Sequence, residues 1–212
     1  MEEGNTVGDV DLPPLTARGL TTRRALLDGA RAVFIRDGFS SARIVDIAAA
    51  AGVATGSFYN YFRSKEDVFR EVAIAVIDEL IEAPRRVDHP PTYDPVEDIR
   101  ASIQRYVDAC MRSRRLTASI HQMCHVDTEL RDYRQARQAE NIARAEHYIR
   151  VLQGQGVADP TVDAGGVGSA LLTMVVNVVY EHLILFETGA SAESLVETLT
   201  DIWVRAIGLR RE

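Results

Sequence analysis

Apolar residues recur along this chain at spacings of three and four, and no stretch shows the alternation of a strand. Leu26, Leu27, Ala30, Val33 and Phe34 form the first stripe; Thr21 or Thr22 is the expected N-cap and Gly38 the expected end. Ile44, Ile47, Ala48 and Ala51 make one face of a short second helix. Gly52 follows where the chain must turn with positive φ. Val53 returns to the core, and a third helix is predicted from about Ala54 through Tyr61, with Phe58 and Phe62 facing inward. Ser64, with Asp67 three residues on, reads as a capping box. It opens a fourth helix whose stripe of Val68, Phe69, Val72, Val76, Ile77 and Leu80 runs to about Ala83. Pro84 to Pro95 reads as a loop. Five more helices are predicted, at about Val96–Arg114, Leu116–His125, Thr128–Gln153, Val162–Glu187 and Ala192–Gly208.

The pattern therefore predicts an all-α fold. An arm spans residues 1–20, expected to be disordered for its acids, glycines and paired prolines. A three-helix unit with a helix–turn–helix covers 21–65, and a larger helical body covers 66–212. The connection at Gly52 is too short for anything but a sharp turn between helices. With Phe58 and Phe62 inside, Thr55, Gly56, Ser57, Tyr59, Asn60 and Tyr61 point elsewhere. Small residues at the start, then hydroxyls, an amide and two tyrosines, suit a helix that enters a DNA major groove and meets base edges and phosphates.

Charge changes the picture by where it lies. The whole chain carries −7, which argues against a polyanionic partner. Between Arg18 and Arg70, nine basic residues stand against five acidic ones. That segment is +4 and the remainder −11, a basic head on an acidic body. Arg18, Arg23 and Arg24 stand where phosphates could be met. The acidic start of the chain has neither the basic nor the apolar part of a signal peptide. Two cysteines make no disulfide framework, and a reducing cytoplasm is expected. No apolar run approaches the ~20 residues that span a bilayer. The longest, Leu171 to Phe186, is interrupted by Asn177, Glu181 and His182, so no membrane partner is expected.

The string DIAAAAGVATGSFYNYFRSKEDVF resembles the N-terminal domain of the TetR family of bacterial transcriptional regulators. Ile47-Ala48, Ala51-Gly52-Val53, Gly56, Phe58-Tyr59, Phe62 and Ser64-Lys65-Glu66 carry the likeness. Val45 stands where the family often has Arg, with Arg43 two residues earlier, and Tyr61 stands where it often has His. The resemblance implies a repressor that binds a palindromic double-stranded operator as a homodimer and is released by a small hydrophobic effector. Arg43, Thr55, Gly56, Ser57, Tyr59, Asn60, Tyr61 and Lys65 would meet DNA, and the fourth helix would be the lever to the body. The last two long helices would pair between subunits, with the Val175–Val179 face at the contact. An activator or architectural DNA-binding protein without an effector remains an alternative, as does an all-helical enzyme.

Polar or soft residues on apolar faces of the body mark candidate effector contacts: Tyr106, Cys110, His121, Cys124, Tyr148, Met174, Asn177, Tyr180 and Glu181. His121, Cys124 and His125 could share one side of a helix turn, but a structural metal site needs about four ligands and no second cluster appears. No cofactor is expected. No Gly-rich phosphate loop, GxSxG, HExxH or paired CxxC occurs, and the chain is expected not to be an enzyme.

Overall fold

The computed structural model describes residues 16–85, 94–186, 189 and 191–209. Within them the chain forms nine α-helices and no strand. The expected arm falls largely on residues 1–15, outside the described part. Helix α1 (Ala17–Ser41) starts earlier than its apolar stripe suggests, because the Thr16 hydroxyl accepts a hydrogen bond from the Gly19 N–H at 3.2 Å. Gly38 breaks its regular geometry at φ +73°, and the kink returns Phe39 to the core against Phe34 and Phe69.

Helices α2 (Ile44–Ala50) and α3 (Thr55–Phe58) follow. Gly52, at φ +68°, makes the expected turn between them. Helix α1 crosses α2 at Gly29, where a Cβ would come within 3.0 Å of both the Ala51 nitrogen and the Ile47 carbonyl oxygen. Leu26, Phe34, Ile47, Phe58 and Phe69 are fully buried and Phe62 nearly so. Each side chain of this size contributes roughly 1.5–3 kcal/mol by leaving water.

Helix α4 (Lys65–Glu82) begins at a Ser64 cap whose Oγ accepts from the Asp67 N–H at 3.1 Å. The N-terminal core does not close at its start. Val72, Val76, Ile77 and Ile81 carry it down α4 to Leu116, Ile120 and Leu130 of the body. These belong to or adjoin α6 (Arg114–Met123) and α7 (Thr128–Gly154). A second core joins α5 (Pro95–Arg112), the end of α7, α8 (Ala164–Val179) and α9 (Ala192–Ala206). Leu80 of α4 packs against both cores.

Helix α8 runs on through a wider π-helical turn over Tyr180–Leu185. The combined 22 residues do reach the length and apolarity of a bilayer-spanning helix, contrary to the sequence expectation. Asn177 and Glu181 do not interrupt it, because they lie one turn apart on a single exposed stripe. Only a third of its apolar window is buried within the chain. Val175 and Val179, expected at a subunit contact, face the chain's own core at 5% and 0% exposure. The outward positions are Ala170, Thr173 and Asn177.

Candidate nucleic-acid interface and internal cavity

Ile47 and Ala48 of α2 and Phe58 and Phe62 around α3 anchor the hairpin from within. Helix α3 is shorter than its i, i+4 aromatic pair suggests. After Phe58 the chain keeps turning without a regular helix, through Tyr61 N–H to Phe58 C=O at 3.0 Å and Phe62 N–H to the same oxygen at 3.1 Å. That tighter path brings Phe62 back under Phe58. Thr55, Gly56 and Asn60 are exposed, and Ser57 is half-buried. Tyr59 is 56% exposed and its ring meets Phe58 edge-on at 5.4 Å, which restricts its swing. Tyr61 is half-buried and packs on the N-terminal core. Arg43 is exposed at the N-cap of α2, beside an exposed Val45.

The Lys65 ammonium is engaged within the chain. Its Nζ donates to the carbonyls of Phe39 at 2.8 Å and Ala42 at 3.1 Å, and lies 4.4 Å from the Phe39 ring centre. The ammonium thus ties the α1–α2 corner to the start of α4. Arg23 is engaged as well: it pairs with Glu71 of α4 and lies over the Phe62 ring. Arg18 and Arg24 are exposed on the same helix.

In the body, a cavity of about 660 Å³ opens between the end of α4 and helices α5, α7, α8 and α9. Tyr106 and Tyr148 line it. Cys110 stands behind Tyr106 and shares a hydrogen bond with its hydroxyl. Burial pushes the phenol well above its usual range and lifts the thiol to about 11, so both stay neutral. The other candidates lie elsewhere. Asn177 and Glu181 are on the exposed stripe of α8, and Met174 packs on the second core without lining the cavity. Cys124 is buried in the first core. His121 stacks on Tyr180 at 3.7 Å with planes 9° apart, and its Nε2 lies 2.9 Å from the Arg134 guanidinium. A guanidinium only donates, so Nε2 accepts and the proton sits on Nδ1. Burial, then the charges of Arg134 and His125, hold this imidazole down to about 3. Cys124 and His121 therefore face different surroundings, and no group of three potential metal ligands forms among the described residues.

Sequence reasoning missed Trp203, Asp98 and Arg144 on the cavity wall. It also missed the cluster beside them. Glu82, at the end of α4, accepts from Arg85 and from Arg137 and Arg144 of α7. Opposite charges at i, i+3 could have signalled the Arg85 pair; the α7 partners come from 55 and 62 residues away.

Residues 26–72 match the sequence model of bacterial regulatory proteins of the tetR family, and residues 99–208 that of the C-terminal domain of the transcriptional regulator EthR. An uncharacterised HTH-type transcriptional regulator, YfiR of Bacillus subtilis, is 24% identical over 195 residues, covering 88% of this chain and 92% of its own. EthR of Mycolicibacterium smegmatis is 25% identical over 188 residues, covering 86% and 84%. Among solved structures, the fatty acid degradation regulator FadR from Bacillus halodurans superposes with a TM-score of 0.67 at 19% identity, over 89% of this chain and 97% of that one. SmeT, the repressor of the Stenotrophomonas maltophilia multidrug efflux pump SmeDEF, gives 0.65 at 21%, over 88% and 91%. These relatives are transcriptional regulators and not enzymes. With both its reading head and its helical body matched, the chain belongs to the TetR family of transcriptional regulators.

Proposed function

We propose that this regulator is a cytoplasmic repressor that binds a pseudo-palindromic operator as a homodimer and lets go when a small molecule fills the body cavity. One observation carries the reading. Ile81, in the last turn of α4, and Pro84 and Arg85 just after it form part of the cavity wall. Val68 and Phe69, at the other end of the same helix, lie in the core beneath the reading hairpin. A ligand that favours a different position of the α4 end thereby biases the tilt of the hairpin.

Thr55, Ser57, Tyr59 and Asn60 are the exposed or half-exposed groups assigned to base edges and phosphates, with Arg43 on the flanking backbone. Two such hairpins must lie about one helical turn apart, ~35 Å, to enter successive major grooves. The exposed stripe of α8 at Ala170, Thr173 and Asn177, with Ile202 of α9 at 39% exposure, supports pairing of the last two helices between subunits.

The test is a mobility shift at fixed salt on operators selected from random duplexes. Wild type should select an inverted repeat, and Tyr59→Ala should bind it about tenfold or more weakly with an unchanged melting temperature. Selection of no repeat, or equal binding by the variant, would count against the reading.

A further inference from the structure

The outer surface of the reading hairpin carries little charge. Between Arg43 and Asn60, Arg43 is the only exposed charged side chain, and Asp46 is half-buried. Other cations of the head are held within the chain, Arg23 by Glu71, Arg31 by Glu79 and Arg70 by Asp127. What the hairpin presents instead is small and apolar. Ala49, Ala50 and Ala54 are exposed, and a Cβ at Gly56 would meet nothing within 4 Å. Val45 is the largest aliphatic group among them, at 41% exposure.

The direction of Val45 follows from the packing of α2. Ile47 and Ala48 are buried beneath the helix, and α1 covers the flank at Ile47, Ala50 and Ala51, where Gly29 crosses. Helix α3 also packs on α2, which leaves it the other flank. Val45 and Ala49, one turn apart, therefore stand outward on the α3 side. Side chains of a helix lean toward its N-terminus, so Val45, in the first turn, reaches toward Arg43 at the cap.

An isopropyl group neither donates nor accepts a hydrogen bond, so it gains nothing from a phosphate or from the polar atoms of a base edge. The apolar group that a base presents in the major groove is the thymine 5-methyl. That methyl lies on the side of the base nearest its own strand, where a short side chain on a helix crossing the backbone arrives first. We propose that Val45, with Ala49 beside it, reads a thymine at the edge of each half-site by packing on its 5-methyl group. This specificity rests on the operator reading above.

The test takes the inverted repeat selected by wild type and replaces its thymines with deoxyuridine, one symmetric pair of positions at a time. Pairing with adenine is kept and only the methyl is lost. In mobility shifts at fixed salt, one such pair near the half-site edge should weaken wild-type binding by about fourfold for each half-site, the worth of one methyl group returned to water. Val45→Ala should lose most of that discrimination and keep every other deoxyuridine effect. Its melting temperature should not change, because the side chain lies outside the core. A selected repeat on which no deoxyuridine matters, or one without thymine at the half-site edge, overturns the proposal and leaves the operator reading standing. So does a methyl effect undiminished in Val45→Ala, which gives the methyl to another side chain. Failure to select any repeat brings down the operator reading and the thymine contact together.

Discussion

Lys65→Met tests whether this residue acts as a clamp within the chain or as a contact to DNA. In the structure the ammonium donates to the Phe39 and Ala42 carbonyls and lies against the Phe39 ring. Methionine keeps the apolar stem and removes both hydrogen bonds. Charge-assisted hydrogen bonds contribute roughly 1.5–3 kcal/mol each, and the ring contact about 0.5–1 kcal/mol where exposed. The side chain is half-buried, so water can reach part of the corner and replace some of this. A net loss of about 2–3 kcal/mol follows, which for a chain of this size is roughly 4–12 °C in melting temperature. The assay pairs thermal unfolding with operator binding across a salt series. A clamp predicts the lowered melting temperature and an unchanged slope of log affinity against log salt. A phosphate contact predicts an unchanged melting temperature and a slope reduced by about one per subunit. The second pattern would refute the clamp.

Three further expectations follow from particular contacts. Gly29→Ala drives a Cβ into the backbone of Ala51 and Ile47, and should destabilise by about 1–3 kcal/mol in urea unfolding while weakening operator binding; a neutral effect would mean the α1–α2 crossing is looser than described. His121 is held neutral in the folded chain down to about 3 against 6.5 when free, so the unfolded chain binds the extra proton between those values. The associated stability is present in full above 6.5 and falls as the pH drops toward 3, by up to about 1.4 kcal/mol per unit, and His121→Phe should flatten that acid limb in urea midpoints at pH 7, 6 and 5. Thr173→Arg, on the exposed stripe of α8, should give a helical monomer by sedimentation, whereas Val175→Arg should unfold the chain; an intact Thr173→Arg dimer would move the interface elsewhere.

The helices and the reading hairpin were legible because periodicity and turn chemistry are local. Gly52, Phe58, Phe62 and the Ser64 cap fall where the pattern puts them. The start of α1 was hidden by Gly19, which looks like loop and is in fact buried under a Thr16 cap. On α8 nearly every position is apolar, so the chain alone could not say that Val175 turns inward and Asn177 outward; only α5, α7 and α9 decide that. The cavity draws its wall from five helices far apart in sequence, which is why two of nine candidate contacts line it and Trp203 was read only as part of an apolar face. The contacts Lys65 makes within the chain were not legible, because its partners lie 23 and 26 residues away.

Phe39 is held on both sides of its own backbone. Its N–H donates to the Ser119 hydroxyl of α6 at 3.0 Å, and its C=O accepts from Lys65 at the root of α4. A single residue is thus a knot between α6 of the body and the root of α4. Rocking of the hairpin on either helix strains the hydrogen bond to the other. Damage to either strand of this knot should loosen the same joint, so lesions in α6, far from DNA, would surface as faults in reading it.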